Sequence, residues 1–407
     1  MKNKFKVLHV IPSVSPSRGG PSKAIIEMVG ALKQEGIDAE IATTNDHGTV
    51  ELDVPLNIRT QYRNVPVYFF KRFSPPINSV REFAYSRNFQ QWIKKHIDDY
   101  DVIHVHAIFS FCSTYTMHLA RKKNIPYIVR PIGQLESWSL KQSYKRKKHY
   151  LNIIERSNLN NANSVHFTAE SERQQSLATL PKLKGVVIPL GINVPQKIPD
   201  AKQKMIKHWG LKGTVPTLVF LSRLHPKKGL ERLLTSLSEL DEFPFQLLIA
   251  GDGDSRYKQS LKDLVSSLTL SQQCHFIGFV EGDEKELLLQ GGDLFTLTSH
   301  SENFGIAALE AMASGTAILV SNEVALSDVI NENKLGFVTD LTVKGITDTL
   351  KMALTGLNPT SNDTLTKSDV SRTQTMGNNA RDLVKKHYQW SNISQQLITL
   401  YNSIKAH

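Results

Sequence analysis

The segment SENFGIAALEAMASG, residues 301–315, holds two glutamates eight positions apart, Glu302 and Glu310, astride Phe304, Gly305 and Ile306. An acid near a helix N-terminus is favoured by the macrodipole. That does not account for the glycine, nor for the apolar run DLFTLTS that leads straight into it. Glycine lets the backbone approach a ligand closely, and the free N–H groups of a helix behind it suit a phosphate. Carboxylates accept from sugar hydroxyls, so two glutamates flanking such a turn suit two sets of hydroxyls. Upstream, SRLHPKKG (222–229) sets Arg223 and Lys228 just after another apolar run. Arg offers a planar fork of donors and Lys a point charge, a pair suited to a diphosphate. FVEGDEK (279–285) is a third loop of the same kind. Either glutamate alone is explained by the helix dipole or by an ordinary surface; the combination with Arg223 and Lys228 at matching strand ends is what points to a nucleotide-sugar.

Such residues need a frame that brings the ends of several strands together. KVLHVIP reads as a strand and PSKAIIEMVGALKQEG as an amphipathic helix, followed by the strand AEIATT, then DVIHVHA, a helix through TYTMHLARKKN, and PYIVR. The alternation restarts at TLVFLSR and runs through GLERLLTSLSEL, FQLLIAG, SRYKQSLKDLVSSL, CHFIGFV, DEKELLLQG, DLFTLTS, GIAALEAMAS and AILVS. Alternating strands and helices imply parallel sheets with crossover helices, here two doubly wound α/β domains. The boundary is expected in the Pro- and Gly-bearing stretch IPLGINVPQKIPD, residues 188–200. In open parallel sheets ligands bind at the carboxyl ends of the strands, so the loops that follow strands are where chemistry is sought. Residues 355–369, TGLNPTSNDTLTKSD, read as a mobile polar loop.

At 407 residues, 40 % hydrophobic and 21 % charged, the composition is that of a soluble globular protein of two domains. No apolar stretch is long enough for a membrane span. MKNKFKVLHVIP resembles a signal peptide superficially, but Pro12 follows with no cleavage-type segment, and a buried first strand is expected. Cys112 and Cys274 lie far apart at no metal-ligand spacing, which suits a reducing cytoplasm. The net charge of +11 is one-sided: residues 1–195 hold 27 Lys and Arg against 15 Asp and Glu, while the remainder is near neutral with 22 against 23. Such an excess marks an anionic partner more often than a merely solvated surface.

With these motifs in view, the chain resembles a retaining glycosyltransferase of family 4, of the two-domain architecture called GT-B, in a polysaccharide- or lipopolysaccharide-assembly subgroup. The resemblance rests on E-x7-E in SENFGIAALEAMASGTAILVS, R-x4-K-G from Arg223 to Gly229, FIGFV before the third loop, GGPSKAIIEMVGALKQEG near the start and ARDLVKKHYQWSNISQQLITLYNSI at the end. It covers nearly the whole chain and is stronger in the second half. It implies two Rossmann-like domains facing a central cleft: an acceptor-binding domain over 1–190, a nucleotide-sugar domain over 191–385, and a C-terminal helix over 386–407 that crosses back to the first domain.

The resemblance also implies roles. Glu310 would bind the ribose hydroxyls and Glu302 the donor sugar, while Arg223 and Lys228 would neutralise the leaving diphosphate. Main-chain groups at Phe304, Gly305 and Ile306 would touch phosphate or sugar, and Val280 the base, with Lys285 matching a basic residue of some relatives. Gly19 or Gly20 would let a first-domain loop approach the diphosphate. Such enzymes typically need no metal or other cofactor, because Arg and Lys supply the electrostatics. One departure concerns the histidine that many relatives place after the strand equivalent to PYIVR; here Ile132 takes that position, in RPIGQLESW. Arg130 or main-chain groups around Gly133 are the candidates to replace it.

GDGD (251–254) imitates a dinucleotide fingerprint and an Asp-x-Asp metal motif, but its context fits neither, and a surface turn or a phosphate-side loop is expected. HVHA is read as a strand end with His104 and His106 on opposite faces, buried and hydrogen-bonded, with no further metal ligand apparent. WSLKQSYKRKKHYLNIIERSNL (138–159) reads as one helix whose Trp138 and basic cluster Lys145, Arg146, Lys147 and Lys148 either form a solvated face or dock on an anionic acceptor or lipid. The expected activity is sugar transfer from a UDP- or GDP-linked donor to a glycan or lipid-linked acceptor. It would take place in the cytoplasm, peripherally on the inner face of the membrane. A binding protein for nucleic acid or another anionic polymer is the competing reading. It lacks aromatic-interleaved basic motifs and leaves the second-half loops unexplained, so no nucleic-acid partner is expected.

Overall fold

The computed structural model describes residues 5–355, 357 and 367–405, and the loop expected over 355–369 lies mostly outside them. The chain forms two compact units, Met1–Gly191 together with Trp390–His407, and Ile192–Gln389.

In the first unit the strands are β1 (Lys6–Ser13), β2 (Asp38–Thr44), a small β3–β4 hairpin (Asp46–His47, Val50–Glu51), β5 (Arg59–Tyr62), β6 (Val65–Phe70), β7 (Val102–His106), β8 (Tyr127–Arg130), β9 (Ser164–Phe167) and β10 (Gly185–Val187). Eight of them make one sheet in the order β10-β9-β8-β7-β1-β2-β6-β5. Every pairing in it is parallel except β5 with β6. Parallel sheets are covered on both faces, so their strands read as near-continuous apolar runs. One face follows that rule: Leu8, Val10, Ile103, Val105, Val129, Val165 and Phe167 belong to a single core cluster. The other face does not, because His9, His104, His106, Arg130 and His166 are all fully or almost fully buried there. His104 and His106 therefore share a face rather than pointing opposite ways, since residues two apart on a strand lie on the same side. Helix Trp390–Lys405 belongs to this unit and ties to it through Trp390 Nε1 to Glu27 (3.0 Å), Lys405 to Asp101 (2.7 Å) and Tyr401 Oη to His104 Nδ1 (2.9 Å).

The second unit holds β11 (Thr217–Leu221), β12 (Gln246–Ala250), β13 (Cys274–Gly278), β14 (Leu294–Leu297), β15 (Ala317–Ser321) and β16 (Gly336–Thr339). They form an all-parallel sheet in the order β13-β12-β11-β14-β15-β16. TLVFL, QLLIA, LFTL and AILVS are buried at every position, as strands covered on both faces must be. The strand order turns back at β11, between β12 and β14, so the loops after these strands meet at a topological switch point.

The segment expected as one helix over 138–159 is broken. Ser137–Lys141 and Tyr144–Tyr150 are separate helices, divided where Ser143 takes φ +59°. A π-turn over Leu151–Glu155 follows, and then helix Arg156–Asn160. The π-turn ends at Glu155, whose buried carboxylate is drawn inward by the Thr114 hydroxyl, Asn158 Nδ2 (3.3 Å) and Phe109 N (3.3 Å).

Candidate active site

In the second unit the loops after β11 and β14 are stitched together. Gly229 has φ +67°, and a Cβ there would overlap the carbonyl oxygen of Thr298. Thr298 Oγ1 donates to Gly229 O (3.0 Å) and His300 N to Lys227 O (2.8 Å). This close approach, which only glycine permits, delivers Lys228 to Glu302, and the two form an ion pair with both side chains largely buried. Glu302 is held by its own backbone, which pairs with the 323–325 segment through Glu302 N to Glu323 O (3.0 Å) and Ala325 N to Glu302 O (3.1 Å).

Helix Ile306–Ser314 starts at Gly305 (φ +86°) and is ended by Gly315 (φ +83°). Glu310 thus sits in its second turn, where it pairs with Lys285 from helix Gly282–Gly291 at 2.8 Å, again with both side chains largely buried. Phe304 is buried, with its ring 6.3 Å from that of Tyr388. Val280 is buried just beyond β13, beside exposed Phe279. Arg223 projects from the loop after β11 into solvent. The structure therefore puts Arg223, Lys228, Val280, Lys285, Glu302, Phe304, Gly305, Ile306 and Glu310 on loops and helix starts beyond the carboxyl ends of β11, β13 and β14, and joins four of them as two cation–carboxylate pairs.

Two contributions escaped the sequence reading. GDGD is a buttress: Cβ atoms on Gly251 and Gly253 would overlap the carbonyls of Ser222 and Leu224, and Leu224 N donates to Asp252 O (2.8 Å). Its acids are engaged locally, Asp252 with Lys258 (2.6 Å) and Asp254 as N-cap of helix Ser255–Ser267. His225 caps the turn Pro226–Lys228 through Lys227 N (3.1 Å). Its pKa is lowered by partial burial and then by Arg223, Lys228 and Lys227. The signal for both was the glycine pair and the position of a histidine one residue before Pro, neither of which is specific.

In the first unit Gly19 has φ +76° and precedes helix Gly20–Gln34. Arg18 beside it is clamped by Asp46 (2.6 Å) and Glu82 (3.0 Å). Asp46 also pairs with wholly buried Arg72, a network of residues too far apart in sequence for spacing to reveal. Ile132 and Gly133 both have positive φ, +56° and +67°. Glu172 fixes this loop by accepting from Gly133 N (2.7 Å), Thr168 N (2.8 Å) and Thr168 Oγ1 (2.9 Å). Burial raises the Glu172 pKa against these bonds.

Arg130 does not sit at a surface where it could meet an acceptor or a membrane. It is 1 % exposed, its Nε and Nη1 have no partner, and it lies among the histidines because β8 ends between β7 and β9. Of the basic cluster, Lys145, Arg146 and Lys148 are exposed. Lys147 is turned inward, donating to Ser139 O (2.7 Å) and lying 5.8 Å over the Phe109 ring. Trp138 is half-buried.

His9 Nδ1 meets His106 Nε2 at 3.0 Å, and His166 Nδ1 meets His104 Nε2 at 3.3 Å. Among the described residues, His9, His104 and His106 are the one group with metal-ligand spacing. Burial, followed by the charges of neighbouring histidines and of Arg130, lowers all their pKa values, and a metal cation there would meet the same opposition from the guanidinium.

The two units match family models in turn. Residues 18–196 match the glycosyltransferase family 4 model and residues 201–358 the glycosyl transferases group 1 model. The chain is 28 % identical over 319 residues to an uncharacterized glycosyltransferase of Methanocaldococcus jannaschii, covering 75 % of this chain and 76 % of that one. It is 26 % identical over 333 residues to the alpha-monoglucosyldiacylglycerol synthase of Streptococcus pneumoniae, covering 79 % and 72 %. Among solved structures, HepE of Anabaena in complex with UDP and glucose superposes with a TM-score of 0.74 at 18 % identity, over 98 % of this chain and 100 % of that one. Two Rossmann-like domains with these matches define the class: the chain is a glycosyltransferase of the GT-B type.

Proposed function

We propose that this glycosyltransferase is a retaining hexosyltransferase of family 4. It moves a sugar from a UDP- or GDP-linked donor to a carbohydrate or lipid-linked glycan, in the building of a cell-surface polysaccharide such as lipopolysaccharide or exopolysaccharide. The observation that carries the reading is the meeting of Lys228 with Glu302 and of Lys285 with Glu310 beyond the strand ends of one sheet. Cations for a diphosphate and carboxylates for hydroxyls are supplied within one domain and kept neutral in pairs until a donor replaces the partners. UDP and glucose in HepE, and a glucosylated diacylglycerol as the named product of the pneumococcal relative, support a nucleotide-sugar donor and a lipid-borne acceptor.

In the proposed reaction the anomeric C–O bond breaks and its electron pair passes to the diphosphate. Arg223 and Lys228 stabilise that developing charge. The acceptor hydroxyl forms the new bond on the same face of the sugar, and its proton passes to the leaving phosphate, so no protein base is needed. Glu310 holds the ribose, Glu302 the sugar, and the chain requires no metal. The first domain, with its basic excess, serves the acceptor and its anionic membrane, on the cytoplasmic face.

The test is a screen of nucleotide-sugars by thermal shift and hydrolysis. A cognate donor at 100 times its Kd stabilises by about 2.7 kcal/mol through mass action. Absence of any shift or hydrolysis across UDP- and GDP-sugars refutes the donor assignment. An inverted product anomer refutes retention, and loss of turnover in excess chelator refutes the metal-free chemistry.

A further inference from the structure

Between Arg223 and Lys228 stands a histidine to which the reaction above assigns no part. His225 opens the turn Pro226–Lys228, and its Nδ1 accepts from Lys227 N at 3.1 Å. That bond sets the tautomer: Nδ1 offers the lone pair, so the ring proton sits on Nε2. The other amides of the turn bond to main chain, Lys228 N to His225 O (2.8 Å) and Gly229 N to Pro226 O (3.1 Å). Lys227 N is thus the amide of this turn that a side chain satisfies, while Lys227 O accepts from His300 N (2.8 Å) in the loop after β14. The Lys227 peptide is gripped at both ends, and the next residue is Lys228, which meets Glu302. An imidazolium carries N–H on both nitrogens and accepts nothing. A proton on His225 therefore sets a donor against the Lys227 donor.

We infer that His225 is a positioning residue for the transfer: neutral, it holds the Lys227 peptide so that Lys228 is delivered to the site, and protonated, it releases that turn. The inference rests on the donor site proposed above and adds to it a pH-dependent support. The charged groups around the ring are Arg223, Lys227 and Lys228 of its own loop, which oppose its protonation, and Glu231 in the first turn of helix Leu230–Leu237, which favours it. The GDGD loop also packs on this segment, but its Asp252 is engaged by Lys258 and its Asp254 caps helix Ser255–Ser267. From the loop after β14, His300 contributes its backbone N–H and Glu302 is paired with Lys228. Partial burial and then the three cations hold the His225 pKa below its usual value. The cap is therefore intact at neutral pH and is lost as pH falls through that lowered value. Removing a capping side chain shifts such a turn by about 2- to 30-fold.

The experiment is the pH dependence of kcat/KM for hydrolysis of UDP-glucose and GDP-mannose by the full chain, which reports groups of the free enzyme. Wild type, His225→Ala and His225→Asn are compared between pH 7.5 and pH 5.5. His225→Ala should lose about 2- to 30-fold at pH 7.5. Asparagine accepts the same bond without titrating, so His225→Asn should restore most of that loss and remove the part of the acid limb that belongs to His225. The ratio of His225→Asn to wild type should therefore rise on acidification, and titrations common to both proteins cancel in it. A histidine that merely stabilised the fold would lower the melting temperature and leave that ratio flat. A flat ratio, or His225→Ala equal to the wild type at pH 7.5, overturns the inference. The cap is also read without a donor: in nitrogen-15 histidine spectra, the signal missing from His225→Asn should be an Nε2–H tautomer at pH 7.5, and the Lys227 amide should exchange faster at pH 5.5 than its neighbours' trend predicts. An Nδ1–H tautomer overturns the inference. If the wild type hydrolyses neither sugar, the donor reading falls, and the spectra alone decide whether His225 holds the turn.

Discussion

Acidification should destabilise the first unit well before ordinary carboxylate chemistry would. His9 and His166 are fully buried, and burial is the first cause of a pKa lowered to about 3 in each; the nearby charge of Arg130 adds to it. In the unfolded chain each would titrate near 6.5. A base whose folded pKa is depressed binds its proton in the unfolded state first, so stability is intact above about pH 6.5 and falls as pH drops toward the folded value. Each lowered unit is worth about 1.4 kcal/mol, so at pH 5 the two residues together remove about 4 kcal/mol. That figure needs only that both folded values lie below 5. His104 and His106, shifted the same way, add to the loss. Glu155 and Glu172 oppose it, because burial raises their pKa and acid favours their folded form. For a domain of about 150–250 residues, 4 kcal/mol corresponds to a fall of about 8–16 °C in Tm. Calorimetry at pH 7.5 and pH 5 should resolve that fall in one of two transitions. His9→Asn should reduce the pH slope of stability by about 1.4 kcal/mol per unit below pH 6.5, whatever its effect at neutral pH. Equal melting temperatures at the two pH values, or an unchanged slope in the variant, would refute the reasoning.

Three further outcomes follow from the second unit. Glu310→Ala should raise the donor KM about 5–150-fold in a folded protein, since unpaired ribose hydroxyls cost about 1–3 kcal/mol and Lys285 loses its partner; an unchanged donor KM rejects the assignment. Arg223→Ala and Lys228→Ala should lower kcat more than they raise KM, because in the proposed reaction their charge matters most as the diphosphate departs, and a pure KM effect in steady-state kinetics contradicts this. Gly229→Ala should disrupt the loop that carries Lys228, because its Cβ would overlap Thr298 O, with loss of donor thermal shift; a fully active variant shows that the close approach is dispensable.

The alternation of apolar strands with helices was legible because β-strand and helix periods are local, so both Rossmann-like domains and the loops after β11, β13 and β14 were readable from residue order. E-x7-E, R-x4-K-G and the glycines marked the same loops, since a tight turn beside a charged side chain leaves a trace in composition. The partners of those side chains left none. Lys228 meets Glu302 across 74 residues and Lys285 meets Glu310 across 25, and only the parallel order of the sheet brings them within reach. GDGD looked like a ligand motif because its glycines admit close approach; the approaching group turned out to be the neighbouring loop's own backbone. Arg130 and Lys147 show the same limit. A charged residue reads as surface in sequence, yet β8 carries Arg130 into the polar face of the first sheet and Lys147 donates its ammonium to Ser139 O of the preceding helix. The sequence determined which chemistry was present, because residue type decides that. The tertiary structure decided which charges face each other, which are buried and which remain free, because burial and pairing depend on contacts between segments distant in the chain.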